Sequence, residues 1–259
     1  MQTAQQRLSP SEDARFDALC LAEKAFGLDK AQLRLYPEKQ VDPMRYFELI
    51  ARRRAGEPMQ YILGEWEFYG LRFAVGPGVL IPRPETEMLV ELALRNAKNA
   101  KIIDLCAGSG CVGLSIAHHC PNAQVHLIEL SSQAMLYLRQ NAARYPNAHV
   151  YHEDIFNSAF SIQHSALIVA NPPYVPSEEI AELSREVQQE PALALDGGED
   201  GLDFYRGIAK HWLPRLAPGG MLAMECGEGQ ADTIAAIFGC ETEILRDFNE
   251  IARVVIAKP

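Results

Sequence analysis

Ile102-Ile-Asp104-Leu-Cys106-Ala107-Gly108-Ser-Gly110-Cys-Val-Gly113 joins an apolar run of strand length to a glycine turn. Glycines at 108 and 110 let the backbone turn tightly and approach a ligand without a Cβ in the way. The helix expected to follow offers free N–H groups at its start. Asp104 stands inside the apolar strand end, where a buried acid needs donors: glycine-loop amides or a ligand ammonium. In an open α/β sheet such a turn is the expected ligand crevice.

Outward from this turn, short apolar runs alternate with helical stretches from Thr86 to the end. We expect strands at Lys101–Leu105, Gln124–Glu129, His149–His152, Ala166–Ala170, Met221–Glu225, Glu241–Leu245 and Arg253–Ala257. Helices fill Thr86–Ala97, Gly113–His119, Ser132–Tyr145, Asp203–Leu213 and Gly229–Phe238. This alternation predicts an α/β fold: an open, mostly parallel seven-stranded sheet with helices on both faces. The pattern is helical from Ser9 to about Tyr61: Ser11-Glu-Asp-Ala opens a helix that Gly27 ends, a short one covers Lys30–Tyr36 before Pro37, and Asp42-Pro43 opens Met44–Ala55 before Gly56. Trp66–Val75 alternates around Gly70 as a β-hairpin does. The chain therefore divides into a small all-helical domain at 1–63, a hairpin linker at 64–85 and an α/β domain at 86–259.

Composition limits the functions available. Thirty-four acids against 24 bases give a net charge of −10, which argues against a surface built to neutralise many phosphates. No apolar run is long enough to span a bilayer, and Met1-Gln-Thr-Ala-Gln-Gln lacks a signal-peptide pattern. Five of the six cysteines fall in or beside apolar segments, as reduced buried thiols do, so we expect a cytoplasmic protein, with nothing suggesting more than a monomer. His118-His119-Cys120 has a metal-ligand composition, but adjacent helical residues point different ways and no metal is expected. Arg52-Arg53-Arg54 reads as a solvated helix face.

Two strand ends extend the crevice. Glu129 closes the second strand, where a carboxylate can accept both hydroxyl protons of a ribose. Asp154, after the third, could hold an adenine amino group beside Phe156. The glycine turn and Glu129 fit NAD, FAD and S-adenosylmethionine equally. The fourth strand runs into Asn171-Pro172-Pro173-Tyr174. Two prolines remove two backbone donors and leave carbonyls that no neighbouring N–H claims. An Asn side chain beside such a carbonyl offers two fixed acceptors for an NH₂ group, with an aromatic ring next door.

The ordered series Asp104–Gly110, Ile128-Glu129-Leu130-Ser131, Asp154 and Asn171–Tyr174 resembles the class I S-adenosylmethionine-dependent methyltransferases, with their Rossmann-like domain. Three further segments are similar to the release-factor glutamine methyltransferases: Leu80–Thr86, Glu190–Leu202 and Arg246-Asp-Phe with Arg253-Val-Val255. The resemblance spans essentially the whole chain. It implies N5-methylation of a glutamine in class I peptide chain release factors, with the helical domain holding that partner and no direct contact to nucleic acid or membrane. It implies S-adenosylmethionine at Asp104, Ala107, Gly108, Gly110, Glu129, Leu130, Asp154, Ile155 and Asn171. Catalysis falls to Asn171, Pro172 and Tyr174, and substrate contact to Pro173, Arg83 and Glu85 besides these. Arg83 has a domain-linking salt bridge as its alternative. The loop containing Glu190-Pro191 and Asp196-Gly-Gly198 suits a flexible substrate cover. Cys106 departs from the family's usual glycine, a place a small thiol can occupy if φ is negative there. The alternatives are an amino-methyltransferase of adenine or cytosine, a nicotinamide-dependent oxidoreductase, and a non-catalytic binding module. Acidity and the lack of a target-recognition domain count against the first. The second leaves Asn171–Tyr174 unexplained.

Overall fold

The computed structural model describes residues 8, 13–35, 42–96, 99–156, 162 and 164–259. Among the described residues, four helices make the first part: α1 (Ala14–Phe26), α2 (Lys30–Leu35), α3 (Pro43–Arg54) and α4 (Met59–Leu63). The expected start at Ser11-Glu-Asp resolves to Asp13, whose carboxylate accepts the Phe16 amide at 3.0 Å; Ser11 and Glu12 lie outside the described residues. Tyr36 and Pro37, the expected stop of α2, lie outside them too. Asp42 caps α3 through the Met44 amide, with Pro43 in the first turn. Leu21, Leu49, Ile50, Met59 and Ile62 close a core of their own. Tyr46 joins it with its hydroxyl on the Ala18 carbonyl, and burial pushes that phenol up to about 12.

Strands β1 (Glu65–Phe68) and β2 (Leu71–Ala74) pair antiparallel around Tyr69-Gly70. Both turn residues have positive φ, 50° and 70°, the two-residue turn whose twist matches a hairpin. Phe68 and Phe73 sit edge to face, 6.2 Å apart, inside the core of the α/β body. Asn141 extends that join. Its side chain accepts the Ala74 amide at 2.8 Å and donates to the carbonyls of Ala74 and Ser109. One buried amide thus ties the hairpin to the glycine loop.

The body alternates α5 (Glu87–Asn96), β3 (Lys101–Leu105), α6 (Cys111–His119), β4 (Gln124–Glu129), α7 (Ser132–Ala142), β5 (Ala148–His152) and β6 (Ser165–Ala170). It continues with α8 (Asp203–Trp212), β7 (Leu216–Glu225), α9 (Ala231–Phe238), β8 (Glu241–Arg246) and β9 (Ala252–Lys258). The seven-stranded sheet has the order β5-β4-β3-β6-β7-β9-β8, and β9 alone runs opposite to the other six strands. Alternate residues of β3 feed opposite cores, as a strand period of two requires. Ile102 packs with Leu89, Leu114 and Leu138 of α5–α7, while Ile103 and Leu105 pack with Tyr205, Trp212 and Ile234 of α8 and α9. All seven expected strands and five helices of this body are present, with ends shifted by a few residues. No helix among the described residues is long and apolar enough to cross a membrane.

Asn141→Ala removes three hydrogen bonds and orphans buried backbone groups of the hairpin and glycine loop. We expect a loss of about 3 kcal/mol in urea unfolding, with the denaturant slope unchanged.

Candidate active site

Strand β3 lies between β4 and β6, all parallel, with Leu105 beside Ile128 on one side and Ala170 on the other. The segments leaving these strands line one cleft, which holds about 1120 Å³ of empty space including its open mouth. Asp104 lies at its base, 2 % exposed, its Oδ2 accepting the Gly113 amide of α6 at 2.8 Å. Burial pushes the carboxyl up to about 7, with the Gly113 amide opposing the rise and the Glu129 charge adding to it. Glu129 is also buried, which raises its pKa; the Gly108 and Ser131 amides, at 2.8 and 2.7 Å, oppose the rise. Both carboxylate oxygens keep a lone pair for an incoming hydroxyl. Asp154 accepts the Phe156 amide at 2.8 Å, and Ile155 and Phe156 wall the cleft beside it.

Cys106 has φ of 56°. The negative φ under which a thiol fits here is not what the chain adopts. The turn out of β3 needs a left-handed residue, the reason glycine suits it, and cysteine takes that conformation at a cost. Cys106 is among the residues lining the cleft, and burial holds its thiol pKa well above the ordinary value.

Asn171 follows β6 directly. Its Nδ2 donates to Thr86 Oγ1 at 3.2 Å, so the amide NH₂ is committed and Oδ1 remains to accept from a ligand. Pro173 shares the cleft wall with Asn171, whereas Pro172 is buried and Tyr174 points to the α8–α9 side. The Tyr174 carbonyl accepts from Gln230, and burial pushes its phenol up to about 12. Gly197 is needed here, because a Cβ on it would stand 2.8 Å from the Tyr174 Cα.

Of the expected cofactor residues, Ala107, Gly108, Leu130 and Ile155 line the cleft with the three acids and Asn171. Gly110 does not: at φ 83° it caps the start of α6. Arg83 and Glu85 are also outside the cleft wall. Arg83 forms a salt bridge with Glu190, and the Glu190 carboxylate accepts the Ile81 amide at 2.9 Å. Glu85 faces a second groove, bounded by Met88, Leu245 and Phe248. The loop after Tyr174 is correspondingly less free than its composition suggests. Glu190 is 5 % exposed, and Val175 pairs with Asp196 in a parallel bridge. Sequence reasoning missed Thr86, Leu193 and Phe204, which also line the cleft. Thr86 lay in the quoted motif, but its partner is 85 residues away. No group of three or more His, Cys, Asp or Glu among the described residues could hold a metal ion.

Comparison with known proteins accords with this geometry. Residues 1–64 match the family described as PrmC N-terminal domain, and residues 84–198 the methyltransferase small domain. The release factor glutamine methyltransferase of Geobacter sulfurreducens is 42 % identical over 253 residues, covering 94 % of this chain and 89 % of that protein. Its counterpart in Gloeobacter violaceus is 36 % identical, covering 98 % and 93 %. A methyltransferase crystal structure from Pyrococcus furiosus, 16 % identical, superposes with a TM-score of 0.56 over 73 % of this chain and 89 % of that one, a likeness of fold.

Two substitutions test the cleft. Cys106→Gly removes the left-handed strain and should stabilise the protein by about 1 kcal/mol in urea unfolding. Asp104 has a folded pKa near 7, above its unfolded value, so it binds a proton more tightly when folded. Its contribution to stability therefore falls as pH rises from about 4 to about 7. Without ligand, Asp104→Asn should melt higher than the parent at pH 8, with the gap closing toward pH 4 in calorimetry.

Proposed function

The chain belongs to the release factor glutamine methyltransferase family, and on that premise we propose that it moves a methyl group from S-adenosylmethionine to the side-chain amide nitrogen (N5) of a glutamine in a class I peptide chain release factor. The cleft suits that donor in kind. Asp104 is a buried carboxylate with one N–H partner, an environment that a cationic ammonium would complete. Glu129 has lone pairs free for a ribose diol. Asp154 beside Ile155 and Phe156 offers an acceptor and an apolar slot for an aminated ring. Ala107, Gly108 and Leu130 give the backbone and apolar walls between these acids, and Gly110 aims the start of α6 at them. Bound there, the sulphonium supplies an electrophilic methyl group.

An amide nitrogen is a poor nucleophile because its lone pair is delocalised into the carbonyl, so alignment must contribute much of the rate. The observation that carries the proposal is the Asn171 amide, whose NH₂ is held by Thr86 while Oδ1 stays available. Asn171 Oδ1 and the Pro172 carbonyl accept the two glutamine amide hydrogens, which orients the nitrogen and opposes its conjugation. Pro173, on the cleft wall, packs against the planar group, and Tyr174, turned to the α8–α9 side, supports that segment from behind. Arg83, through Glu190, fixes the Ile81–Thr86 segment beside the site and meets the substrate backbone from there; Glu85 steadies the same segment. No strong general base is required, because the proton leaves the cationic product after transfer. The helical region at 1–63 holds the release factor while a glutamine-bearing loop enters the cleft. The protein acts as a cytoplasmic monomer, and cysteines that fall in or beside apolar segments support that compartment.

Asn171→Ala should lower methyl transfer at least about a thousandfold, with S-adenosylmethionine affinity kept within a few-fold in calorimetry. The assay is labelled methyl transfer to purified release factor, to a glutamine-to-alanine release factor, and to duplex DNA. Label in DNA and not in protein would overturn the proposal.

A further inference from the structure

We propose that Thr86 and Glu225 are positioning residues for methyl transfer: a two-bond relay that fixes which end of the Asn171 amide faces the substrate. The inference rests on the glutamine-clamp reading and deepens it. An Asn amide can sit in two ways related by a half-turn, nearly identical in shape and opposite in hydrogen bonding. Oxygen toward the cleft makes an acceptor for an NH₂ group. Nitrogen toward the cleft sets donor against donor and undoes the clamp. The Asn171 backbone does not decide between them; the atom beneath the side chain does.

That atom is Thr86 Oγ1, which accepts from Asn171 Nδ2 at 3.2 Å. A hydroxyl can donate as readily as accept, so it selects an amide orientation only if its own proton is committed elsewhere. Glu225 takes that proton, since the Thr86 side chain hydrogen bonds to its carboxyl group. Its position follows from the sheet. Ala170 and Met224 are partners in the parallel ladder of β6 and β7, so Asn171 and Glu225 are the next residues out on neighbouring strands. Glu225 is 3 % exposed, and among the described residues its Oε2 has no hydrogen-bond partner. For packing alone, an apolar side chain would be cheaper at such a site. A carboxylate is an unambiguous acceptor, where a glutamine or hydroxyl is not.

Protonation would reverse the relay. A neutral Glu225 carries an O–H that can donate to Thr86, freeing the Thr86 proton to point at Asn171. Burial pushes this carboxyl up to about 7, and the Thr86 hydrogen bond opposes the rise. Around it, Glu85 raises the value further, while Arg83 and Arg253 lower it. Tyr174, Tyr205, Cys111 and Cys226 interact with it from the other packed elements. The ionised form is the productive one, so kcat should rise with pH through about 7. Asp104 titrates in the same range but in the cofactor cleft, and saturating S-adenosylmethionine keeps it out of kcat.

The experiment measures kcat and KM between pH 5.5 and 9 for the full-length enzyme, Thr86→Val, Thr86→Ser and Glu225→Gln, with release factor as substrate. Thr86→Val should lower kcat at least about tenfold with both KM values within threefold, and Thr86→Ser should restore kcat to within about threefold of the parent. The parent's rise through about pH 7 should vanish in Glu225→Gln, a change that loss of folded protein does not mimic. A Thr86→Val kcat within twofold of the parent, or an unaltered pH profile in Glu225→Gln, overturns the relay and leaves the glutamine reading standing. A parent enzyme that methylates no release factor glutamine overturns both.

Discussion

The parallel pairing of β3 with β6, Leu105 beside Ala170, is the constraint on which the rest of the molecule depends. β4 lies on the far side of β3, so the chain builds outward on one side of β3 with β4 and β5, then on the other with β6 and β7, which opens a cleft above the end of β3. Both faces of these strands are buried. A slip of one residue would exchange Ile102 with Ile103 and drive each into the wrong core. The register is therefore fixed by packing, and the chemistry inherits its precision from apolar contacts that take no part in it. Asp104 and Asn171 meet in one cleft because two hydrophobic ladders leave them no alternative.

Local pattern carried most of the fold. Strand and helix alternation is written in periodicity, and the order Asp104, Glu129, Asp154, Asn171 follows from acids and an amide placed at strand ends. What stayed hidden is polar and distant. The contact of Thr86 with Asn171 spans 85 residues, and that of Ile81 with Glu190 spans 109. Neither partner bears a mark of its destination, because a topological crossover brings them together. Glu190 shows the effect well: in sequence it sits among acidic, glycine-rich residues, and in the fold it is a buried anchor. Cys106 hid for another reason, since side-chain identity points away from positive φ and only the demands of the turn impose it. The short α4 lacks the length for a helical period to show.

Arg53 ties the helical region to the loop after Tyr174. Arg53, within a triplet that reads as a solvated face, is only 11 % exposed in its side chain and binds Asp17 at 2.8 Å and Glu186 at 2.7 Å. Arg185 lies against Gly56 beside it. The same loop is held at its other end by Glu190. A segment that walls the proposed substrate site is thus strapped to both parts of the chain, which makes the orientation of the helices a matter of the active-site wall as well.

Phe68 and Phe73 give the hairpin an allegiance its position in the chain conceals. They belong to the core beneath α5–α7, and Asn141 binds β2 to the glycine loop. Gly64, which ends α4 in a left-handed turn, is where the chain passes from the helices to this hairpin. Exchange of the helical part between related enzymes, by recombination or by design, would keep the hairpin with its core by cutting at that glycine. A graft that took the hairpin along with the helices would carry off part of the recipient's hydrophobic interior.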